Sequence, residues 1–203
     1  MKKILLLILC LSVIGNIFCQ SDKKNYIGIN YSFGSIDYKS NRTDFFSSSN
    51  YEGKSYRSIG FDYRYRISEN VDFCTGLIFI NNILTLGTSH LSTGGSNYNN
   101  YDDNLFIFSL PLHLKYHFLK YLFIDGGASI NYHPSKGYTW GIGLGGGVGA
   151  EYVFNNGFAL SLSPNMQLNF LNKDESDNNN MPSMPGPDKL TQFGLKFGLG
   201  YRF

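Results

Sequence analysis

Large apolar and polar residues alternate with a period of two along most of this chain. In the clearest stretch, residues 106–118, every even position is a Phe, Leu or Tyr, while Ser109, His113 and Lys115 fall between them. Successive side chains of a β-strand point to opposite faces, so this stretch predicts a strand with one apolar and one polar face. A helix would repeat its apolar residues every three or four positions instead.

Seven other segments show a similar alternation, and together they predict eight strands. The predicted strands cover residues 27–33, 59–67, 73–79, 106–118, 122–132, 140–154, 158–170 and 191–203. The third is less regular, because Ile78 and Ile80 place apolar side chains on its second face. After residue 20 no segment approaches the ~20 consecutive apolar residues of a membrane helix, so a membrane location would require strands.

Short and long connections alternate along the chain. The short connections span residues 68–72, 119–121 and 155–157, and the longer ones span 35–56, 81–104, 133–138 and 172–188. Tight turns would therefore lie at one end of the strands and long loops at the other, as in the up-and-down barrels of bacterial outer membranes. We expect an all-β fold, an eight-stranded antiparallel up-and-down transmembrane β-barrel, with both termini at the tight-turn end.

The amino-terminal segment has the layout of a secretory signal peptide. Lys2 and Lys3 precede an apolar stretch, residues 4–14, that is too short to span a bilayer, and polar residues resume at Gln20. We expect a signal peptide over residues 1–19 and an outer-membrane barrel domain over residues 20–203. The protein would then be exported to the cell outer membrane.

Charge and cysteine content narrow the function classes. The formal charge is +2 and Lys2 and Lys3 account for it, so the remaining chain is neutral and offers no basic surface for nucleic acid. Cys10 and Cys19 each follow a bulky residue, which disfavours a lipid-anchored amino terminus. Without the signal peptide, Cys74 has no intramolecular disulfide partner, and we interpret it as a small buried apolar residue.

The polar faces of the predicted strands would line the barrel interior. We expect a lumen polar network formed by Asp62, Arg64, Arg66, His113, Lys115, Asp125, Glu151, Lys196 and Arg202. An eight-stranded barrel is only wide enough to be filled by side chains, and unpaired charges there would cost several kcal/mol each, so these groups should pair. A soluble lipocalin-like barrel is the rival fold, but it would bury apolar residues inward.

Two features should shape this lumen. The glycines at alternate inward positions of residues 141–149 should leave room for the long side chains of Arg64, Arg66 and Lys115. Pro111 and Pro164 fall inside predicted strands, where the missing N–H breaks the ladder, and we expect a β-bulge at each.

Candidate reactive groups do not form a recognisable catalytic motif. His113 and His117 share a strand face, but the ammonium of Lys115 between them disfavours a metal ion. No cofactor is expected, and no nucleophile motif is evident. The predicted loops carry aromatic and acidic residues suited to partner contact, in Asp44–Phe46, Tyr51, Tyr98, Tyr101–Asp103 and Asp174–Asp177.

Three segments resemble a known family. The centre of the fourth strand, Ser109–Leu112, the glycine-rich strand Trp140–Tyr152 and the ending Gly198–Phe203 are similar to the small bacterial outer-membrane β-barrel proteins described as porin-like or PorT-like. The resemblance implies outer-membrane lipid as surroundings and recognition of Tyr201 and Phe203, as an assembly signal, by the barrel-assembly machinery.

Function follows only in outline. We expect a non-enzymatic membrane scaffold that displays extracellular loops for envelope integrity or for binding a protein partner, extracellular or periplasmic, of unknown identity. The resemblance leaves open an accessory role in a protein secretion system, and an outer-membrane lipid-modifying enzyme is a further alternative.

Overall fold

Eight antiparallel strands form a closed barrel in the computed structural model, which describes residues 24–39, 49–92, 95–134, 138–173 and 188–203. The strands are β1 (Asn25–Lys39), β2 (Ser49–Ser68), β3 (Val71–Ser92), β4 (Gly95–His117), β5 (Leu122–Tyr132), β6 (Tyr138–Val153), β7 (Phe158–Lys173) and β8 (Asp188–Arg202). Each pairs with its sequence neighbour, and β1 pairs with β8 to close the sheet. The predicted fold class is confirmed.

Several expectations fall outside the described residues. These are the signal peptide over residues 1–19 with Cys10 and Cys19, the loop segment Asp44–Phe46 and the acidic segment Asp174–Asp177. Among the residues that are described, no helix is long and apolar enough to cross a membrane.

The strands are longer than the sequence pattern indicates. β3 continues to Ser92 and β4 begins at Gly95, so the predicted loop over residues 81–104 is wrong for most of its length. β2 likewise begins at Ser49, inside the predicted loop over residues 35–56. The hydrogen bonds of a ladder join backbone groups, so strands can continue in register where the side chains no longer alternate between apolar and polar.

The connections that join β2 to β3, β4 to β5 and β6 to β7 lie together at one end of the barrel, called here the tight-turn end. Gly157 closes the turn between β6 and β7 with a φ of 93°, a backbone conformation that residues with a Cβ rarely adopt. Asn25 and Phe203 exchange two backbone hydrogen bonds at the same end, with N···O distances of 3.0 and 2.8 Å. The opposite end is called the long-loop end.

The bulges expected at the two prolines are wrong. Pro111 lies opposite Ser129 and Pro164 opposite Leu195, each in an unbroken ladder on that side. On the other side, Pro111 interrupts the pairing of β4 with β3, and Pro164 interrupts the pairing of β7 with β6. In both cases the pairing resumes in the same register. A strand residue directs its N–H to one neighbouring strand, so proline removes a bond from only one ladder. The register shifts lie elsewhere, between Gly53 and Ser55, Arg66 and Ser68, and Tyr138 and Gly141.

The two faces of the barrel wall reverse the usual distribution of polarity. Leu114 has 55% of its surface exposed, whereas Lys115, the next residue along β4, has 2%. The lumen is not polar throughout, however. Near the long-loop end it is filled by a buried apolar cluster, called here the apolar plug: Ile36, Tyr38, Tyr56, Ile80, Leu84, Leu105, Ile107, Leu171 and Leu190. Several of these residues lie in strand extensions that the sequence pattern assigns to loops.

Candidate functional site

Glu151 on β6 is the centre of a buried ionic cluster in the lumen. Its Oε2 accepts hydrogen bonds from Nη1 of Arg64 on β2 and from Nζ of Lys115 on β4, the latter at 2.5 Å. Arg202 on β8 lies 3.6 Å from the other carboxylate oxygen. Asp62 stands 3.7 Å from Arg64. Side chains from four strands thus converge at one level of the barrel axis.

Asp72 at the start of β3 forms a second ionic cluster closer to the tight-turn end. It is 1% exposed and accepts hydrogen bonds from Arg66 at 3.0 Å and Arg202 at 2.9 Å, while Nε2 of His117 lies 3.0 Å away. Arg202 therefore joins the two clusters. Sequence analysis missed Asp72 because the predicted strand began at Phe73; extending the alternation back one residue would have found it.

Aromatic rings complete the surroundings of the two most buried cations. The guanidinium carbon of Arg64 lies 3.9 Å from the ring centre of Tyr26, and Nζ of Lys115 lies 3.6 Å from that of Phe123. A ring face attracts a cation without taking up a hydrogen-bond donor. Each cation is thus held by a carboxylate and a ring, which limits the free-energy cost of its burial.

The other expected members of the network lie further from the tight-turn end. His113, Asp125 and Lys196 line two cavities of about 40 Å³ each. In the described part of the chain, none of the three forms a direct ion pair. Cavities of this size accommodate water, which can bridge such groups. The structure therefore brings six of the nine expected residues into the ionic clusters and leaves these three apart.

A cluster of buried amides occupies the next level towards the long-loop end. Gln192 donates to Asn82 at 2.5 Å and accepts from Asn169 at 3.2 Å, and Asn169 in turn accepts from Asn131 at 2.7 Å. Gln167 also donates to Asn169, at 3.0 Å. Charge alone does not identify this cluster, because its members are uncharged amides at inward positions of their strands.

Comparison with known proteins adds little. No protein-family model matches the chain, and no curated protein matches it. Among solved structures, the outer membrane protein OprG from Pseudomonas aeruginosa is similar in form, with 13% sequence identity, a TM-score of 0.43 and coverage of 89% of this chain and 96% of that chain. Ail, the attachment invasion locus protein of Yersinia pestis, has 15% identity, a TM-score of 0.43 and coverage of 90% of this chain and 100% of that chain. The translocator domain of autotransporter NalP from Neisseria meningitidis has 9% identity, a TM-score of 0.42 and coverage of 95% of this chain and 93% of that chain. At these scores the likeness carries no argument about function.

Other residues singled out from the sequence have structural surroundings. His117 belongs to the Asp72 cluster, and Cys74 is a free, partly buried thiol in the lumen. Within the described ranges, no group of three or more His, Cys, Asp or Glu residues is placed to hold a metal ion. Tyr201 packs edge to face on Phe158 and stacks on Phe203 at the tight-turn end. The role of Tyr201 and Phe203 as an assembly signal stays a prediction.

The alternating glycines of β6 are expected from the sequence to make room for Arg64, Arg66 and Lys115. In the structure, other side chains lie closest to these glycines. Those cations lie nearer the tight-turn end, at the level of Glu151 and Asp72. The side chains nearest to the inward glycines are instead His133 at Gly141, Gln167 at Gly145, Asp125 at Gly147, and Ser163 and Phe123 at Gly149. A Cβ on Gly143 would meet Asn169 Oδ1 at 2.7 Å and Asn131 Nδ2 at 2.9 Å, as well as the hydroxyl of Ser129.

We expect Gly143→Ala to lower the free energy of unfolding by about 1–3 kcal/mol, because the added methyl group would overpack this buried cluster. The measurement is urea denaturation of the refolded barrel. Gly126→Ala is the matched control, because a Cβ there would meet only the carbonyl oxygen of Gly145, at an ordinary 3.6 Å. Equal stability of the two variants would contradict the packing described here.

Proposed function

We propose that this chain is an outer-membrane β-barrel protein, a non-enzymatic membrane scaffold that displays its long-loop end for envelope integrity or for binding a protein partner. The observation that carries the proposal is the apolar outer face of a closed barrel whose ions lie inside. Along β4, Leu110, Leu112 and Leu114 are 42%, 42% and 55% exposed. Monomeric soluble proteins rarely expose a continuous apolar surface of this extent.

Aromatic rings border this apolar surface at both ends. Near the long-loop end, contacts join Phe106, Phe79, Phe108, Tyr132 and Trp140 across four strands. Near the tight-turn end, two further groups of contacting rings are Tyr121, Tyr152 and Phe154, and Phe158, Tyr201 and Phe203. Outer-membrane barrels carry an apolar band about 25 Å tall between two such aromatic girdles. This arrangement supports a membrane-spanning role.

The apolar plug and the extended strands support display over conduction. The plug fills the lumen near the long-loop end with buried side chains, of which Ile107 and Leu190 are fully buried. Beyond the aromatic girdle, the backbones of β2, β3 and β4 continue as paired strands. Asp102 there pairs with Lys54 at 3.2 Å and accepts from Thr85 at 2.9 Å. A sheet that extends past the aromatic girdle offers a surface for contact with a partner.

The finer parts of the proposal rest on sequence. Export by the predicted signal peptide follows from residues 1–19, and the link to porin-like or PorT-like proteins follows from the three segments that resemble them.

Electrophoretic mobility and cell fractionation test this proposal together. The barrel should be recovered in the outer-membrane fraction, and its mobility in detergent should change only after boiling, because a closed sheet has no unpaired edge strand and resists detergent at room temperature. A soluble, periplasmic protein whose mobility is the same before and after boiling would contradict it.

A further inference from the structure

The lumen opens to solvent through a cavity of about 990 Å³ at the tight-turn end, called here the vestibule. Neither the folding of the barrel nor its proposed function uses this cavity. Its depth is limited by the ionic cluster around Glu151, and the apolar plug fills the lumen towards the opposite end. As far as the described residues show, the vestibule is thus a pocket that opens at the tight-turn end and is closed towards the long-loop end. Its volume suits a small organic ligand.

Positive charge predominates in the walls of the vestibule. The lining contains four permanent cations and two carboxylates: Lys24, Arg66, Lys120, Arg202, Glu69 and Glu151. Glu151 is paired with Arg64 and Lys115, and Arg202 is paired with Asp72, so little of the charge of either is available to a ligand. Lys24, Lys120 and the outer nitrogens of Arg66 then remain beside the single carboxylate of Glu69. The groups that remain for a ligand are therefore mainly cationic.

Two of these cations have donors to spare. Arg66 uses its Nε to bond Asp72, and among the described residues its two terminal nitrogens have no partner. Its side chain is 31% exposed. Lys24 is exposed at the rim and forms no ion pair with any residue in the described ranges. A guanidinium fork of this kind fits the paired oxygens of a carboxylate or a phosphate.

We propose that the vestibule binds an oxyanion ligand, carrying carboxylates or a phosphate, that enters from the tight-turn end. Arg66 and Lys24 hold its oxygens, while Asp72 fixes the orientation of the Arg66 side chain. Peptide carboxylates and phospholipid head groups both present this chemistry. The site itself depends only on the lumen and does not rest on the proposed membrane role.

The test is calorimetric titration of the refolded, detergent-solubilised barrel with two probes, a triglutamate peptide and glycerol 3-phosphate. We expect saturable binding of at least one probe. The stronger binder identifies the source, the peptide representing carboxylates and glycerol 3-phosphate the lipid head group. Lys24→Gln and Arg66→Gln should each raise Kd about tenfold, since each removes a charge-assisted hydrogen bond.

Lys189→Gln is the control, because it removes the same charge from an exposed position at the long-loop end and should leave Kd unchanged. Arg66→Gln also takes a donor from Asp72, so heat-dependent gel mobility must show that this variant is folded. Lys24→Gln leaves Asp72 untouched and decides the question if Arg66→Gln fails to fold. The proposal would be overturned if neither probe showed saturable binding. It would also be overturned if Lys189→Gln raised Kd as much as Lys24→Gln does.

Discussion

Replacing Glu151 by glutamine is expected to lower the free energy of unfolding by about 3–5 kcal/mol, the range found when one partner of a buried ion pair is removed. The amide would leave Arg64 and Lys115, which are 5% and 2% exposed, without the carboxylate between them. Asp62, at 3.7 Å from Arg64, is too distant to replace it fully. The measurement is equilibrium urea denaturation of the refolded barrel in detergent or vesicles.

An exposed ion pair serves as the control for Glu151→Gln. Lys54 and Asp102 lie 3.2 Å apart with side chains 61% and 53% exposed, and Lys54→Gln should cost less than about 1 kcal/mol. Asp72→Asn should resemble Glu151→Gln, because it takes the shared carboxylate from Arg66 and Arg202. A cost for Glu151→Gln no larger than that for Lys54→Gln would refute the central role of the cluster.

Replacing Leu112 by arginine is expected to cost about 2–4 kcal/mol and to reduce the yield of folded barrel in lipid vesicles. On the outward face of β4, Leu112 lies midway between the aromatic residues Phe108 and Tyr116, so the substitution would place a guanidinium near the middle of the apolar band. Denaturation in vesicles measures the free energy of unfolding. The fraction of protein that migrates as the folded form on a gel measures the yield.

Tyr116→Arg is the matched control for Leu112→Arg. It lies on the same face of the same strand, four residues nearer the tight-turn end, and is 47% exposed against 42% for Leu112. A charge near the interface should cost only about 0–1 kcal/mol. If both substitutions were equally tolerated in vesicles, the outer face of the barrel would not contact hydrocarbon, and the proposed membrane role would fail.

These two experiments probe opposite faces of one wall. A substitution inside the barrel tests pairing between charges that water scarcely reaches, whereas a substitution outside tests the solvent that surrounds the protein. Glu151→Gln should therefore destabilise the barrel in detergent and in lipid alike. The effect of Leu112→Arg should depend on the thickness and nature of the surrounding apolar phase.

The local alternation of residues predicts the number of strands and, within each alternating run, the face on which a side chain lies. Arg64, Lys115 and Glu151 were assigned to the lumen because each occupies the polar side of an alternating run. Strand ends were poorly predicted where that alternation fades. At two such ends the pattern does not predict the strand: Asp72 falls just outside a predicted strand, and most of the segment 81–104 falls in a predicted loop although it continues two paired strands.

Neighbouring residues alone specify strands with one apolar and one polar face, because a period of two is a local property of the chain. Which inward residues meet depends on the assembled barrel. Arg64 and Glu151 are 87 positions apart and Asp72 and Arg202 are 130 apart, and their contacts depend on the register of successive ladders and on the closure of β1 with β8. Alternation specifies the face of a strand but not the level along the barrel axis. For that reason the ionic clusters, the amide cluster, the apolar plug and the vestibule emerged only from the fold.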